Sequence, residues 1–247
     1  MNMLLVIDIG NTKIKTAVFE EDKLLDKQSF NKNEGLEKIE KIFKNFPEIK
    51  HSVSSSVGKA ENDVVNFLKK KSDFQEINHL SNFPFTNNYS TPKTLGVDRM
   101  VLMAGASLLF PNKNVLVIDC GTCVTYDFVT AESEYFGGAI SPGIEMRYKA
   151  LNTFTEKLPL LENKLPNNFI GNSTNESIYS GVVNGLLFEI EGFISQYSLK
   201  FQHLIIILTG GDAEFLAKSL KSTIFAHSNF LVESLNALFQ YHKKEKC

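Results

Sequence analysis

One phrase restricts the fold of this chain more than any other, because it occurs twice. Residues 6–18 read VIDIGNTKIKTAV and residues 117–129 read VIDCGTCVTYDFV. In each copy an apolar run ends in an aspartate, a glycine follows one residue later with a threonine just after it, and a second run of strand-favouring residues begins. That pattern predicts strand, tight turn and strand in both halves. The predicted fold is therefore an α/β chain built from two related halves.

The length agrees with this reading. A chain of 247 residues suits one large domain or two compact ones of about 120 residues each. With 43% hydrophobic and 22% charged residues it has ordinary globular composition, not that of a disordered segment. Twenty-six basic residues against 28 acidic give a formal charge of -2, so no general positive field exists to hold nucleic acid, and none is expected as a partner. The first residues lack a basic segment before their apolar run, and Asp8 interrupts that run. Neither a signal peptide nor a membrane span fits, and a cytoplasmic location is the expectation.

Three cysteines, Cys120, Cys123 and Cys247, cannot form an even disulfide framework. The CGTC stretch has redox-motif spacing, but a strand-like run follows it where a redox pair needs a helix N-terminus. No second such pair and no histidine cluster completes a zinc site, so these cysteines read as small buried residues.

Along the chain, MLLVID, KIKTAVFE and KLLDKQSF read as a three-stranded antiparallel meander. Leu36, Ile39, Ile42, Phe43 and Phe46 form one stripe of an amphipathic helix, HSVSSSV reads as a strand, and AENDVVNFLKKK as a second helix. The Pro-, Asn- and Thr-rich NFPFTNNYSTPKTLG is a long irregular connection before the helical VDRMVLMAGASLLF. PNKN at 111–114 then interrupts the pattern, placing a boundary between residues 1–112 and 113–247. The second half repeats strand, turn and strand, with YFGGAISPG as a third strand. Helices follow at IEMRYKAL and over 174–200, then the strand HLIIILTGG and a final helix LVESLNALFQYHKK that suits packing back across the boundary.

A single Asp-x-Gly turn with a threonine is also what an ordinary hairpin selects. Two of them at the ends of buried strands suit a cleft between similar domains. Glycine lets a ligand approach the backbone, N–H groups and threonine hydroxyls donate to phosphate oxygens, and a carboxylate beside them holds the water shell of Mg²⁺. Neither a Walker loop nor a Rossmann glycine motif is present. Phosphates would thus be held by hairpin turns, which makes phosphoryl transfer the leading chemistry. ILTGGDAEFLAKSL adds a third glycine site, suited to a base or ribose and equally to a plain strand-to-helix turn. Phosphoryl transfer also needs a group to take the acceptor's proton. Asp98 and Arg99 in LGVDRM supply a carboxylate and a guanidinium, although a helix-start charge beside a surface arginine explains them as well.

DIGNT, GVDR, DCGTCVT, GGAISPG and TGGDA, in that order and over nearly the whole chain, resemble the type III pantothenate kinases. That family belongs to the acetate and sugar kinase, chaperone ATPase and actin superfamily. The resemblance implies two duplicated ribonuclease H-like domains with ATP in the cleft between them. It also implies phosphorylation of pantothenate to 4'-phosphopantothenate, the first step of coenzyme A biosynthesis, in a cytoplasmic homodimer. By the same resemblance Asp8, Ile9, Gly10, Asn11, Thr12, Lys13, Ile14, Lys15 and Thr122 contact ATP, with Asp8 near Mg²⁺. Asp98 is the proton acceptor, and Tyr89, Gly96, Val97, Asp98 and Arg99 bind pantothenate. Asp119 coordinates a monovalent cation, K⁺ or NH₄⁺, and Thr174 completes the substrate site across the dimer. The apolar helix after Thr174 suits an interface and ordinary core packing alike. Cys123 stands where the family usually has alanine, a small-for-small exchange that opens a thiol sensitivity at this turn. The alternatives are another kinase of the superfamily acting on a sugar or short acid, and a non-enzymatic accessory regulator of transcription. GVDR after Tyr89 favours pantothenate over the first, and the joint presence of Asp8, Asp98 and Asp119 speaks against the second.

Overall fold

The computed structural model describes residues 3–10, 13–56 and 62–245. It divides into two compact units, one of Met1–Asn112, Ala131–Phe136 and Asn229–Cys247, the other of Lys113–Thr130 and Gly137–Ser228. A contiguous 1–112 and 113–247 division differs from these units by the short 131–136 segment and the C-terminal helix, both of which lie in the first unit.

In the first unit, β1 (Met3–Ile9), β2 (Lys13–Glu20) and β3 (Lys23–Asn31) form the meander, followed by α1 (Gly35–Asn45), β4 (Ile49–Ser56), α2 (Asn62–Lys71) and β5 (Asp73–Ile77). The sheet order is β3-β2-β1-β4-β5, with β1 antiparallel to β2 and parallel to β4, and β5 parallel to β4. Residues 4–9 of β1 are all buried, as a central strand covered on both faces requires. Ile39 and Ile42 of α1 join Leu5, Ile7, Val64 and Leu68 in the core of this unit. The long connection contains a two-residue strand, β6 (Thr86–Asn87), before α3 (Val97–Leu109).

The second unit repeats the plan. β7 (Val115–Cys120) is antiparallel to β8 (Cys123–Val129), and β9 (Glu134–Pro142), whose residues from Gly137 on belong to this unit, lies beside β8. After α4 (Ile144–Thr153), α5 (Thr174–Tyr179), one turn of π-helix at Ser180–Asn184 and α6 (Gly185–Lys200), β10 (Ile205–Thr209) returns parallel to β7. Then α7 (Ala213–Ala217) leads to β11 (Phe225–Ala226), parallel to β10. Within a six-stranded sheet of order β6-β9-β8-β7-β10-β11, the run β9-β8-β7-β10-β11 is the order of the first sheet again. The chain is thus α/β, with the repeated turn phrase at the same topological point of each sheet. The C-terminal helix α8 (Phe230–Glu245) buries Phe230, Leu235, Leu238 and Phe239 within the first unit, where it packs on α3.

β5 is the longest of the strands that periodicity misses, the others being the two-residue β6 and β11. DFQEI is five residues long and mostly polar, and only Ile77 is buried. Its strand state follows from pairing with β4, a long-range partner absent from local pattern.

Candidate active site

The first turn joins β1 to β2, and the Gly10 N–H donates to the Lys13 carbonyl at 3.0 Å. Asn11 and Thr12 lie outside the described residues. Ile9 and Ile14 pair across the hairpin and their side chains are buried, so a ligand can meet them only through backbone. Asp8 is buried and sits opposite Lys15, and its Oδ1 accepts from the Ser55 hydroxyl at 3.1 Å. Burial pushes its carboxyl up to about 6. Lys15 and the Ser55 hydroxyl pull the other way, and the charge of Asp98 adds to the rise. The structure therefore brings Asp8 and Asp98 within electrostatic reach of each other inside the first unit.

Asp98 is in the first turn of α3, where a carboxylate is favoured by the helix dipole. Its Oδ1 accepts from the Arg99 N–H at 2.8 Å, and a Cβ on Gly96 would lie 2.3 Å from that oxygen, so the glycine leaves the space the carboxylate occupies. Val97 is buried in the core. Arg99 is buried too, and its guanidinium carbon lies 5.8 Å from the centre of the Tyr89 ring. At the base of the long connection, His79 Nε2 donates to the Leu95 carbonyl at 2.7 Å, tying the start of the loop to the residue before Gly96.

The second turn, Asp119 to Cys123, is held from two sides. Gly121 N–H donates to the Cys123 carbonyl at 2.9 Å, and Gly143 N–H, at the junction of β9 and α4, donates to the Thr122 carbonyl at 3.1 Å. A Cβ on Gly143 would come within 2.2 Å of the Gly121 carbonyl oxygen. On the other side Gly210, with φ of +98°, would place a Cβ 2.3 Å from the Cys120 carbonyl and 2.4 Å from Asp119 Oδ1. The SPG and TGG motifs thus converge on the second turn, with Thr122 exposed and Cys123 half-buried. Burial, and the nearby Asp119 and Asp212, push the Cys120 thiol up, which leaves it inert.

Sequence reasoning missed the support of this junction. Glu189 of α6 accepts from the Tyr126 hydroxyl at 2.8 Å, the Ser141 hydroxyl at 3.1 Å and Arg147 at 2.5 Å, while Arg147 Nε donates to the Pro142 carbonyl at 2.8 Å. Burial pushes the Glu189 carboxyl up, but these partners, Arg147 first, outweigh it and hold the group below its ordinary value. The available signal was a carboxylate three residues after Leu186 on the buried face of α6.

Thr174 opens α5 in the second unit and lines a cavity of about 1230 Å³ with Met146, Leu151, Phe154, Ile178 and Val182. Among the described residues no cluster of three or more His, Cys, Asp or Glu forms a ready metal cage, and no helix is long and apolar enough to cross a membrane.

Solved structures share this duplicated fold. The chain matches MreB5 of Spiroplasma citri bound to ADP with a TM-score of 0.55 at 9% identity, over 100% of this chain and 98% of that one. It matches a glucokinase from an Antarctic psychrotroph with a TM-score of 0.54 at 14% identity, over 98% and 99%. A Campylobacter jejuni structure bearing the name of a Baf family transcriptional activator matches at 0.65 and 20% identity, over 97% and 99%. At these identities the likeness is one of fold.

Sequence narrows the class to a family. The type III pantothenate kinase model matches residues 4–196. A type III pantothenate kinase of Flavobacterium johnsoniae is 53% identical over 97% of this chain and 98% of its own length, and one of Christiangramia forsetii is 49% identical over 98% and 100%. The chain belongs to the type III pantothenate kinase family.

Proposed function

We propose a division of labour among the residues by which this chain transfers the γ-phosphoryl group of ATP to pantothenate, giving 4'-phosphopantothenate in the first step of coenzyme A biosynthesis. Asp98 takes the proton of the primary hydroxyl as its oxygen forms the new bond to phosphorus and the bond to ADP breaks. Arg99, held against Tyr89, receives the pantothenate carboxylate. Gly96 and Val97 shape the same end of the site by backbone. The observation that carries this reading is the placement of Asp98 at the start of α3, close enough to Asp8 for their charges to interact.

In this reading the first turn, Asp8 through Lys15, contacts ATP, and within the second unit Thr122 is the exposed candidate contact of its own turn. Asp8 fits Mg²⁺, because a buried carboxylate raised by desolvation and by a second carboxylate gains most from a cation. Such an ion would neutralise charge on the phosphates. Asp119 fits a monovalent cation, K⁺ or NH₄⁺. Gly210 leaves open the space beside its Oδ1, and Thr125 Oγ1, opposite Asp119 in the β7–β8 ladder, is buried with no hydrogen-bond partner among the described residues.

The working form in this reading is a cytoplasmic homodimer in which Thr174 serves the partner's site. Phe154, which lines the cavity with Thr174, is 85% exposed, and Phe169 and Ile170, which precede the lining residue Gly171 in sequence, are 68% and 79% exposed, a pattern typical of association surfaces.

Asp98→Asn tests the assignment of the base. It is expected to lower kcat by about a hundredfold or more with both KM values little changed. Near-normal turnover would remove Asp98 from the mechanism.

A further inference from the structure

The acceptor residues assigned above do not hold themselves in place. Tyr89 lies in a 15-residue irregular connection and yet carries the Arg99 guanidinium on its ring, and something must fix that ring. The structure supplies it from a residue far away in sequence. Tyr135 of β9 is wholly buried, and its ring stacks on Tyr89 with centroids 6.2 Å apart and planes inclined by 19°. Phe85 meets the Tyr135 ring edge-on at 5.8 Å and 70°. Backbone joins the same segments. Thr86 N–H donates to the Ser133 carbonyl and Asn88 N–H to the Tyr135 carbonyl, each at 2.8 Å, and β6 pairs with β9 in parallel. All of these groups belong to the first unit.

We propose that Tyr135 is a positioning residue for the acceptor site, its buried ring backing Tyr89 so that Tyr89 holds the Arg99 guanidinium for the substrate carboxylate. The layers run Tyr135, Tyr89, Arg99, with the β6–β9 hydrogen bonds fixing the loop that bears the middle ring. A buried aromatic platform restricts Tyr89 before substrate arrives, so the ordering cost of binding falls. Tyr135 itself touches neither substrate nor nucleotide in this arrangement. The inference rests on the assignment of Tyr89 and Arg99 to pantothenate.

The test is a double-mutant cycle on the full chain with separate KM values for pantothenate and ATP. Tyr135→Leu, which removes the platform, is expected to raise the pantothenate KM about tenfold, with kcat and the ATP KM within about twofold of the parent. Tyr135→Phe, which keeps the ring, is expected to rescue the pantothenate KM to within about threefold. Tyr89→Ala should raise the same KM by at least as much, and the double variant should be no worse than Tyr89→Ala alone. Additive losses in the cycle, or an ATP KM that rises in step with the pantothenate KM, would overturn the proposal. An unmoved pantothenate KM in Tyr89→Ala would instead show that the acceptor assignment beneath it is at fault. If Tyr135→Leu does not fold, Phe85→Leu takes its place, with about a threefold rise in the pantothenate KM alone expected and no change overturning the proposal.

Discussion

Asp8 is a residue kept against its own contribution to folding. Its folded pKa of about 6 lies above the ordinary 3.8, so the ionised form costs the native state wherever pH exceeds about 6 and costs nothing below 3.8. The difference amounts to about 3 kcal/mol at neutral pH. Asp8→Asn is therefore expected to raise the melting temperature by several degrees at pH 7.5 while abolishing activity, with the gain vanishing as pH falls from 6 towards 4. Thermal melts across that range check it, and a variant less stable than the parent at pH 7.5 would refute the burial argument. The placement of Asp8 before a strand-ending turn and of Asp98 at a helix start was legible in the sequence because turn chemistry and helix starts are local. Tyr135 and Glu189 were not, since each acts through partners 46 and 63 residues away, Tyr89 and Tyr126 respectively, and no local spacing encodes a contact of that range.

At the scale of elements, the two meanders could be read directly because buried central strands are continuous apolar runs and turns need glycine. β5 could not, being short and polar, whereas α8 was legible both as a helix and in its packing back onto the first half. The second turn shows how elements cooperate. It is wedged between the β9–α4 junction and the β10–α7 junction, and the Gly143 N–H holds the Thr122 carbonyl. Gly143→Ala puts a methyl group where the Gly121 carbonyl stands, and one of the two must move. The expected result is an ATP KM raised about tenfold or more with the pantothenate KM unmoved, read from initial rates at varied nucleotide. An unchanged ATP KM would mean that the second turn does not contact the nucleotide.

For the whole molecule, duplication explains why one chain carries two glycine turns, and family membership selects the acceptor that the fold alone leaves open. The proposed dimer makes a distinctive prediction. Asp98→Asn and Thr174→Ala are each expected to be defective alone. Unfolded and refolded together, they should regain about a quarter of parental activity, since half the dimers are mixed and one site in each mixed dimer is intact. No recovery, with mixed dimers demonstrated, would confine each site to a single chain.

The central claim, that this chain is an ATP-dependent kinase acting on pantothenate, is tested most directly by coupled ADP release with pantothenate and a panel of sugars, each with and without K⁺. ADP release with pantothenate alone, stimulated by K⁺, is the predicted result. Turnover of a sugar in preference to pantothenate, or ADP release with no acceptor in the panel, would contradict the account.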